Sequence, residues 1–329
     1  MSEFDLIARY FTRPAKHADV KVAVGVGDDC AIINPLPGMQ LAISSDMLVE
    51  GRHFFSGVSA CSLGHKSLAV NLSDLAACGA TPLAFTLALA LPRIDEAWLQ
   101  EFSRGLWALA DAHGCELIGG DTTQGPLTIC ITVFGDVPRG QALLRSGAQV
   151  GDDIYISGTL GDARLALEAL QGKIELPHEM LAQARQRLEQ PTPRIALGIA
   201  LRGVATSAID ISDGLAGDLG HILKASGVGA QIDADLTMNL IAACTHIYWL
   251  KDQFDSKKQL ETVLSGGDDY ELAFTAPPTA RPAVRAASAS SQTAVTRIGV
   301  IEAEPGLRLV DMSGQPVMAQ FASFDHFVT

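Results

Sequence analysis

Six aspartates stand in short turns flanked by glycine or serine. They are Asp29 in GVGDD, Asp46 in ISSD, Asp74 in NLSDL, Asp121 in IGGDTT, and Asp210 with Asp213 in AIDISDGL. Carboxylate oxygens are hard ligands, suited to Mg²⁺ and similar cations rather than to zinc or copper. Two bare carboxylates at about 4 Å repel by roughly 4 kcal/mol at an effective dielectric near 20. Their convergence therefore predicts divalent cations, and such clusters serve phosphoryl chemistry. Hydroxyls stand beside two of them: Ser44 and Ser45 precede Asp46, and Thr122 and Thr123 follow Asp121.

The phosphate loops of common nucleotide enzymes are missing. No GxxxxGK[ST] occurs, no HRD or DFG set is present, and Gly25 and Gly27 are followed by Cys30 where a dinucleotide fingerprint has its third glycine. Phosphates of a bound nucleotide must then be held mainly by cations and backbone N–H groups. Plainer readings stand beside the functional ones. GVGDDCA also reads as a hairpin turn, Asp46 as a helix cap, and Asp213 as the N-cap of the helix that follows it. Arg145 is a surface cation or a phosphate clamp, and His53 is a half-buried turn histidine or a substrate contact near Asp46. Asp74 directly precedes Leu75 in a helix, beside its inward face, where carboxylates are seldom buried unless paired or metal-bound.

Composition sets the frame for these residues. A chain of 329 residues is long for one core, so two domains are expected. With 48% apolar residues it can fill both. The net charge of −13 argues against nucleic acid or an anionic membrane as partner. Six scattered cysteines without a CxxC read as reduced thiols of a cytoplasmic protein. The segment MSEFDLIARYF lacks a signal-peptide core, and the apolar run from Leu83 to Leu91 is too short to span a bilayer.

The elements that must position these residues follow from periodicity and punctuation. Residues 3–11 read as a short helix with Phe4, Ile7 and Phe11 on one face, and VKVAVGVGDDCAII as strand, turn, strand. LAISSD is a strand ending in polar residues, Phe85 to Leu91 alternate as a strand, and CELIGG delivers Asp121 at a strand end. Helices are predicted at 62–78 and 95–112, the latter stopped by Gly114. Residues 137–150 are turn-rich and mark a linker between domains 1–136 and 151–329. GDDIYISGTLG opens the second half on a strand, with helices near 161–171, 178–189 and 193–203. SAIDISDGL is strand into helix, with Leu215, Leu219, Ile222 and Leu223 inward and Gly227 as its end. The expected class is α/β with mixed sheets, the site lying in a cleft between two domains.

Nine segments in order resemble one family. GVGDDCA, ISSDMLVEGRHF, KSLAVNLSDLAACGATP, LIGGDTTQGPL, LLRSGAQVGD, YISGTLGD, AIDISDGL, SGGDDYEL and FDHF are similar to the corresponding segments of thiamine-monophosphate kinases, over nearly the whole chain. These belong to the wider aminoimidazole-ribonucleotide-synthetase-like ATP enzymes. The resemblance implies a two-domain α/β fold that dimerises through its N-terminal domain, and ATP-dependent conversion of thiamine monophosphate to thiamine diphosphate without a phosphoenzyme. It places several Mg²⁺ ions on Asp29, Ser44, Ser45, Asp46, Asp74, Asp121, Asp210 and Asp213, with Asp46, Asp121 and Asp213 as the catalytic set. Nucleotide contacts fall on Gly120, Asp121, Arg145 and Ser212, and contacts to thiamine phosphate on His53, Asp268 and Phe324. Three positions depart from the usual pattern. Ser45 stands for threonine, Asp268 for glutamate with one methylene less reach, and Phe324 for tyrosine or tryptophan.

Overall fold

The alternation from Phe85 to Leu91 marks the centre of the first folding unit. A computed structural model describes residues 3–13, 21–26, 30–242 and 255–317. It divides into two compact units, Met1–Leu75 with Ala80–Ala142, and Ala76–Gly79 with Leu143–Thr329. The units part between Ala142 and Leu143, and the end of the helix before Gly79 groups with the second unit.

In the first unit, β1 (Val22–Val24) and β2 (Ile32–Ile33) form an antiparallel pair. Residues 27–29, Asp29 among them, lie outside the described residues. The main sheet has four strands in the order β3 (Met39–Val49), β6 (Thr128–Pro138), β4 (Thr81–Leu91), β5 (Glu116–Gln124). Phe85, Leu87, Leu89 and Leu91 of β4 are buried together with Ile129, Ile131 and Val133 of β6. Two long helices, α2 (Ala60–Ala77) and α3 (Glu96–His113), add Leu68, Leu72, Leu75, Leu99, Phe102 and Leu106 to that core. Asp95 caps α3 by accepting the Trp98 N–H at 3.1 Å, and Gly114 ends it at φ 60°.

Two sequence expectations change here. The strand LAISSD does not end at its polar residues: β3 runs on to Val49, because every residue from Met39 to Val49 has a partner on β6. β5 likewise continues past Asp121 to Gln124, paired in parallel with β4. The N-terminal segment divides into α1 (Glu3–Leu6) and a π-turn over Ile7–Phe11. It is fastened by the Trp107 indole donating to the Tyr10 carbonyl at 2.9 Å.

The second unit is built on six strands, β12 (Gly306–Val310), β9 (Gly229–Asp233), β11 (Val295–Glu302), β7 (Asp153–Ser157), β10 (Glu271–Ala276) and β8 (Ser207–Ile211), in that order. All neighbours are antiparallel except β12 and β9. Its helices are α4 (Asp162–Leu170), α5 (His178–Glu189), α6 (Ile195–Ala200), α7 (Leu215–Ser226), α8 (Ala234–Met238), α9 (Ser256–Leu264) and α10 (Arg281–Ser291). Leu215, Leu219, Ile222 and Leu223 of α7 enter the core with Ile209 and Ile211 of β8. Gly227 ends α7 in the left-handed region at φ 68°. Among the described residues no helix is long and apolar enough to cross a membrane.

Helices α2 and α3 meet where neither carries a side chain. A Cβ on Gly64 would lie 2.0 Å from the Phe102 carbonyl oxygen, and one on Gly105 would lie 1.9 Å from that of Cys61. Gly64→Ala and Gly105→Ala should each cost roughly 1–3 kcal/mol by forcing the helices apart, read as a lower urea midpoint with unchanged slope. In the second unit, the buried Asp153 carboxylate accepts from Arg281 and Arg297. The Arg281 hydrogen bond is the largest influence holding Asp153 below the usual carboxylate range; burial opposes it and Arg297 adds to it. A depressed folded pKa contributes stability that is present above the unfolded value, about 3.9, and lost as pH falls through the folded one. Asp153→Asn should therefore cost roughly 1–3 kcal/mol at neutral pH. Its deficit in denaturant titrations should shrink below about pH 4.

Candidate functional site

On β3 the alternation of side chains separates the predicted ligands. Ser44 and Asp46 fall on one face, Ser45 on the other. The Ser44 hydroxyl donates to the Asp74 carboxylate on α2, and the Asp46 N–H donates to the Asn71 side-chain oxygen, one turn earlier on α2, at 3.0 Å. Ser45 instead meets the Thr132 hydroxyl at 2.9 Å and donates to the Ile131 carbonyl. Strand and helix thus bring Ser44, Asp46 and Asp74 together through buried Asn71. The helix-cap reading of Asp46 is excluded by its place inside β3.

Asp121 sits elsewhere on the same sheet. Register runs Asp46–Ile131–Leu87–Gly120 across one row and Met47–Cys130–Ala88–Asp121 across the next. Residues opposed in a ladder share a face, so Asp121 belongs with Ser45, opposite to Asp46. The two acids lie on opposite edge strands, three strand spacings or roughly 14 Å apart. Gly120 adopts φ 142°, and a Cβ there would lie 1.8 Å from the Leu87 carbonyl oxygen. Its close backbone approach is therefore to β4. His53 lies in the turn after β3, where Nδ1 accepts the Val49 N–H at 3.0 Å.

In the second unit, Asp210 lies on β8 at 6% exposure, between Ile209 and Ile211. The turn after it carries Ser212 and Asp213, and α7 starts at Leu215 with Gly214 as its N-cap at φ 107°. Asp213 is therefore not the cap. The N–H groups of Ser212 and Asp213 both donate to Oδ2 of Asp218, at 3.1 and 3.0 Å. Burial pushes the Asp218 carboxyl up to about 7; the Asp213 N–H bond pulls it down and the Asp213 charge raises it. Arg145 exerts a downward pull on the same carboxyl and so stands within its field. Its carbonyl accepts from Ser226 at the end of α7, and the Ala208 N–H on β8 donates to the neighbouring Leu144 carbonyl.

The SGGDDYEL turn packs against the same place. The Asp268 N–H donates to the Ser212 carbonyl and the Tyr270 N–H to that of Ile211, both at 2.8 Å. A Cβ on Gly267 would lie 2.3 Å from the Ser212 carbonyl oxygen. Asp268 and Tyr270 are held at φ 66° and 51°, a conformation that costs non-glycine residues energy and persists where the surroundings fix it. The Tyr270 hydroxyl donates to the Asp268 carboxylate at 3.2 Å. Behind them, Asp269 is buried, accepts the Gly161 N–H with both oxygens, and is pushed well up by that burial. Buried Glu271 takes Arg187, Arg194 and Ser157, and Arg187 also donates to the carbonyls of Thr159 and Asp269.

The structure therefore groups Ser44, Asp46 and Asp74 in one unit and Arg145, Asp210, Ser212, Asp213 and Asp268 in the other. Asp29 and Phe324 lie outside the described residues. Sequence reading missed Asn71, Asp218, Asp269 and the Glu271 network. Asn71 stands three residues before Asp74, on the same helix face, and that spacing was the available signal; Asp218, five residues after Asp213, carried none. Among the described residues no group of three or more His, Cys, Asp or Glu side chains is placed to hold a metal ion. The donor chemistry nonetheless fits Mg²⁺, which takes one or two carboxylates and completes its shell with waters and substrate phosphates.

Comparison with known proteins defines the class. Residues 27–137 match the AIR synthase related protein N-terminal domain, and residues 149–312 the corresponding C-terminal domain. The chain is a two-domain member of that family. A thiamine-monophosphate kinase of Salmonella typhimurium is 46% identical over 99% of this chain and 98% of its own length. The crystal structure of the thiamine-monophosphate kinase from Stenotrophomonas maltophilia K279a is 44% identical, with a TM-score of 0.81, over 90% of this chain and 92% of its own. AaThiL complexed with AMPPCP and TMP is 29% identical, with a TM-score of 0.75, over 89% of each chain. Within the class, the chain belongs to the thiamine-monophosphate kinase family.

Asn71 holds the backbone at Asp46 while its amide donates to the Ser67 carbonyl at 3.1 Å. Asn71→Leu should cost about 1–3 kcal/mol in urea unfolding by stranding buried polar groups, and Asn71→Asp should cost at least as much, because it sets an acceptor against the Ser67 carbonyl and a further carboxylate beside Asp46 and Asp74.

Proposed function

We propose that the chain transfers the γ-phosphoryl group of ATP directly to the phosphate of thiamine monophosphate, giving ADP and thiamine diphosphate. An ionised oxygen of the acceptor phosphate attacks the γ-phosphorus as the bond to the β–γ bridging oxygen breaks, so no strong base is required. The observation that carries this reading is the 46% identity to a thiamine-monophosphate kinase along almost the entire chain. The complex of AaThiL with AMPPCP and TMP supports the pair of substrates.

The obstacle is charge, because two polyanions must meet. Mg²⁺ held by the residues assigned to it would supply the charge neutralisation that the phosphates need. Asp46, Asp74 and the Ser44 hydroxyl offer oxygen ligands from the first unit, Asp210 and Asp213 from the second, with Ser45, Asp121 and Asp29 completing the assigned set. Asp46, Asp121 and Asp213 are assigned the catalytic role. Arg145 and the Ser212 hydroxyl are assigned to the nucleotide with Gly120 and Asp121, and His53, Asp268 and Phe324 to thiamine phosphate. These assignments rest on position within the family's motifs and on the turns just described.

The reading includes a homodimer and a cytoplasmic setting, where ATP is abundant. Ile43 and Met47 share the Ser45 face of β3 and are 60% and 56% exposed. Exposed apolar side chains grouped on one sheet face favour association.

Incubation with ATP and Mg²⁺, with and without thiamine monophosphate, tests the reaction. Thiamine diphosphate should form only with the acceptor present, and release of free phosphate alone would overturn the proposal. Asp46→Asn and Asp121→Asn should each lower kcat by roughly 100-fold or more, while Asp268→Asn should mainly raise the KM for thiamine monophosphate. Parental kcat in Asp46→Asn would remove that residue from the catalytic set.

A further inference from the structure

The turn after β8 has the shape of an anion site at the start of a helix, yet its donors are already used. One buried oxygen of Asp218 accepts the successive N–H groups of Ser212 and Asp213. The Ser212 carbonyl accepts the Asp268 N–H. The Asp218 N–H in turn donates to the Gly214 carbonyl at 3.0 Å, which fixes the helix start relative to the turn. The backbone of Ser212 is thus bonded within the protein at both ends. What this turn offers a ligand is side chains: the Ser212 hydroxyl and the Asp213 carboxylate, with Asp268 beside them.

We propose that Asp218 is a positioning residue for phosphoryl transfer, its carboxylate fixing the Ser212–Asp213 turn so that side chains, and not peptide N–H groups, face the nucleotide and its cation. The inference deepens the kinase reading and rests on it for the identity of the ligand. Asp218 itself touches no reacting atom. It occupies the place a phosphate oxygen would take at an unblocked helix start, and so prevents ATP from settling directly on the backbone. With two half-buried N–H groups deprived of their acceptor, the peptides would turn toward whatever anion is available. Asp213 would then leave the orientation it needs to ligate a cation.

The test compares Asp218→Ala with Asp218→Asn in the full chain. Asn keeps a carbonyl oxygen that can accept both N–H groups, whereas Ala removes it. Amide hydrogen exchange of the ligand-free protein should be faster at residues 212–213 in Asp218→Ala by on the order of tenfold, and near the parental rate in Asp218→Asn. In turnover assays, Asp218→Ala should raise the KM for ATP and the Mg²⁺ concentration for half-maximal rate by about tenfold. The KM for thiamine monophosphate should stay within about twofold, and Asp218→Asn should recover most of the loss. Unchanged exchange and unchanged ATP and Mg²⁺ dependence in folded Asp218→Ala would overturn the inference, as would an Asn variant that loses protection at 212–213. If Asp218→Ala does not fold, the exchange of Asp218→Asn decides. If the parent forms no thiamine diphosphate, the kinase reading fails, while the exchange comparison still decides whether Asp218 holds the turn.

Discussion

A peptide N–H turned away from water must find an acceptor, and for the half-buried N–H groups at both candidate ligand groups that acceptor is a buried polar side chain on the neighbouring helix. Asn71 of α2 takes the N–H of Asp46, and Asp218 of α7 takes those of Ser212 and Asp213. The same helices carry apolar faces into their cores through Leu68, Leu72 and Leu75, and through Leu215, Leu219 and Ile222. Core packing and ligand orientation are therefore one constraint. A shift of either helix would move the backbone that bears the acids.

The second constraint is the period of the sheet. Because side chains alternate, adjacent Ser44, Ser45 and Asp46 cannot all face the same point, and register sends Asp121 to the Ser45 face. The first unit thereby keeps Asp121 apart from Asp46 and Asp74, which limits their mutual repulsion before any cation or phosphate arrives. Mg²⁺ would tolerate this arrangement, since it takes few protein carboxylates and fills its shell with waters and phosphate oxygens.

How much of this was legible in the chain depends on local against distant causes. Helices α3 and α7 were readable because caps and apolar spacing act within a turn or two: Gly114 and Gly227 stop them where expected. The full length of β3 was not, since its polar half is held by β6, about 85 residues away in the sequence. The strands after Gly227 take their places from the six-stranded sheet they join, with partners distant in the sequence. The acids of the candidate site stood out by their glycine and serine neighbours. Asp218 did not, because a carboxylate inside a helix resembles an ordinary surface charge until its burial is known.

Asp268 shows how a departure from the family pattern is absorbed. Its residue type shortens the side chain by one methylene relative to the usual glutamate. The backbone at Asp268 and Tyr270 is left-handed and tied to the carbonyls of Ser212 and Ile211, so the turn cannot advance to make up the lost reach. The Tyr270 hydroxyl fixes the shorter carboxylate close to the turn. The negative charge is thus retained near Ser212 and Asp213, while its capacity to extend toward a ligand is reduced. Any contact from Asp268 to a thiamine phosphate must then run through an intervening water or cation more readily than a glutamate's would, which ties this position more closely to the electrostatics of the turn than to direct recognition.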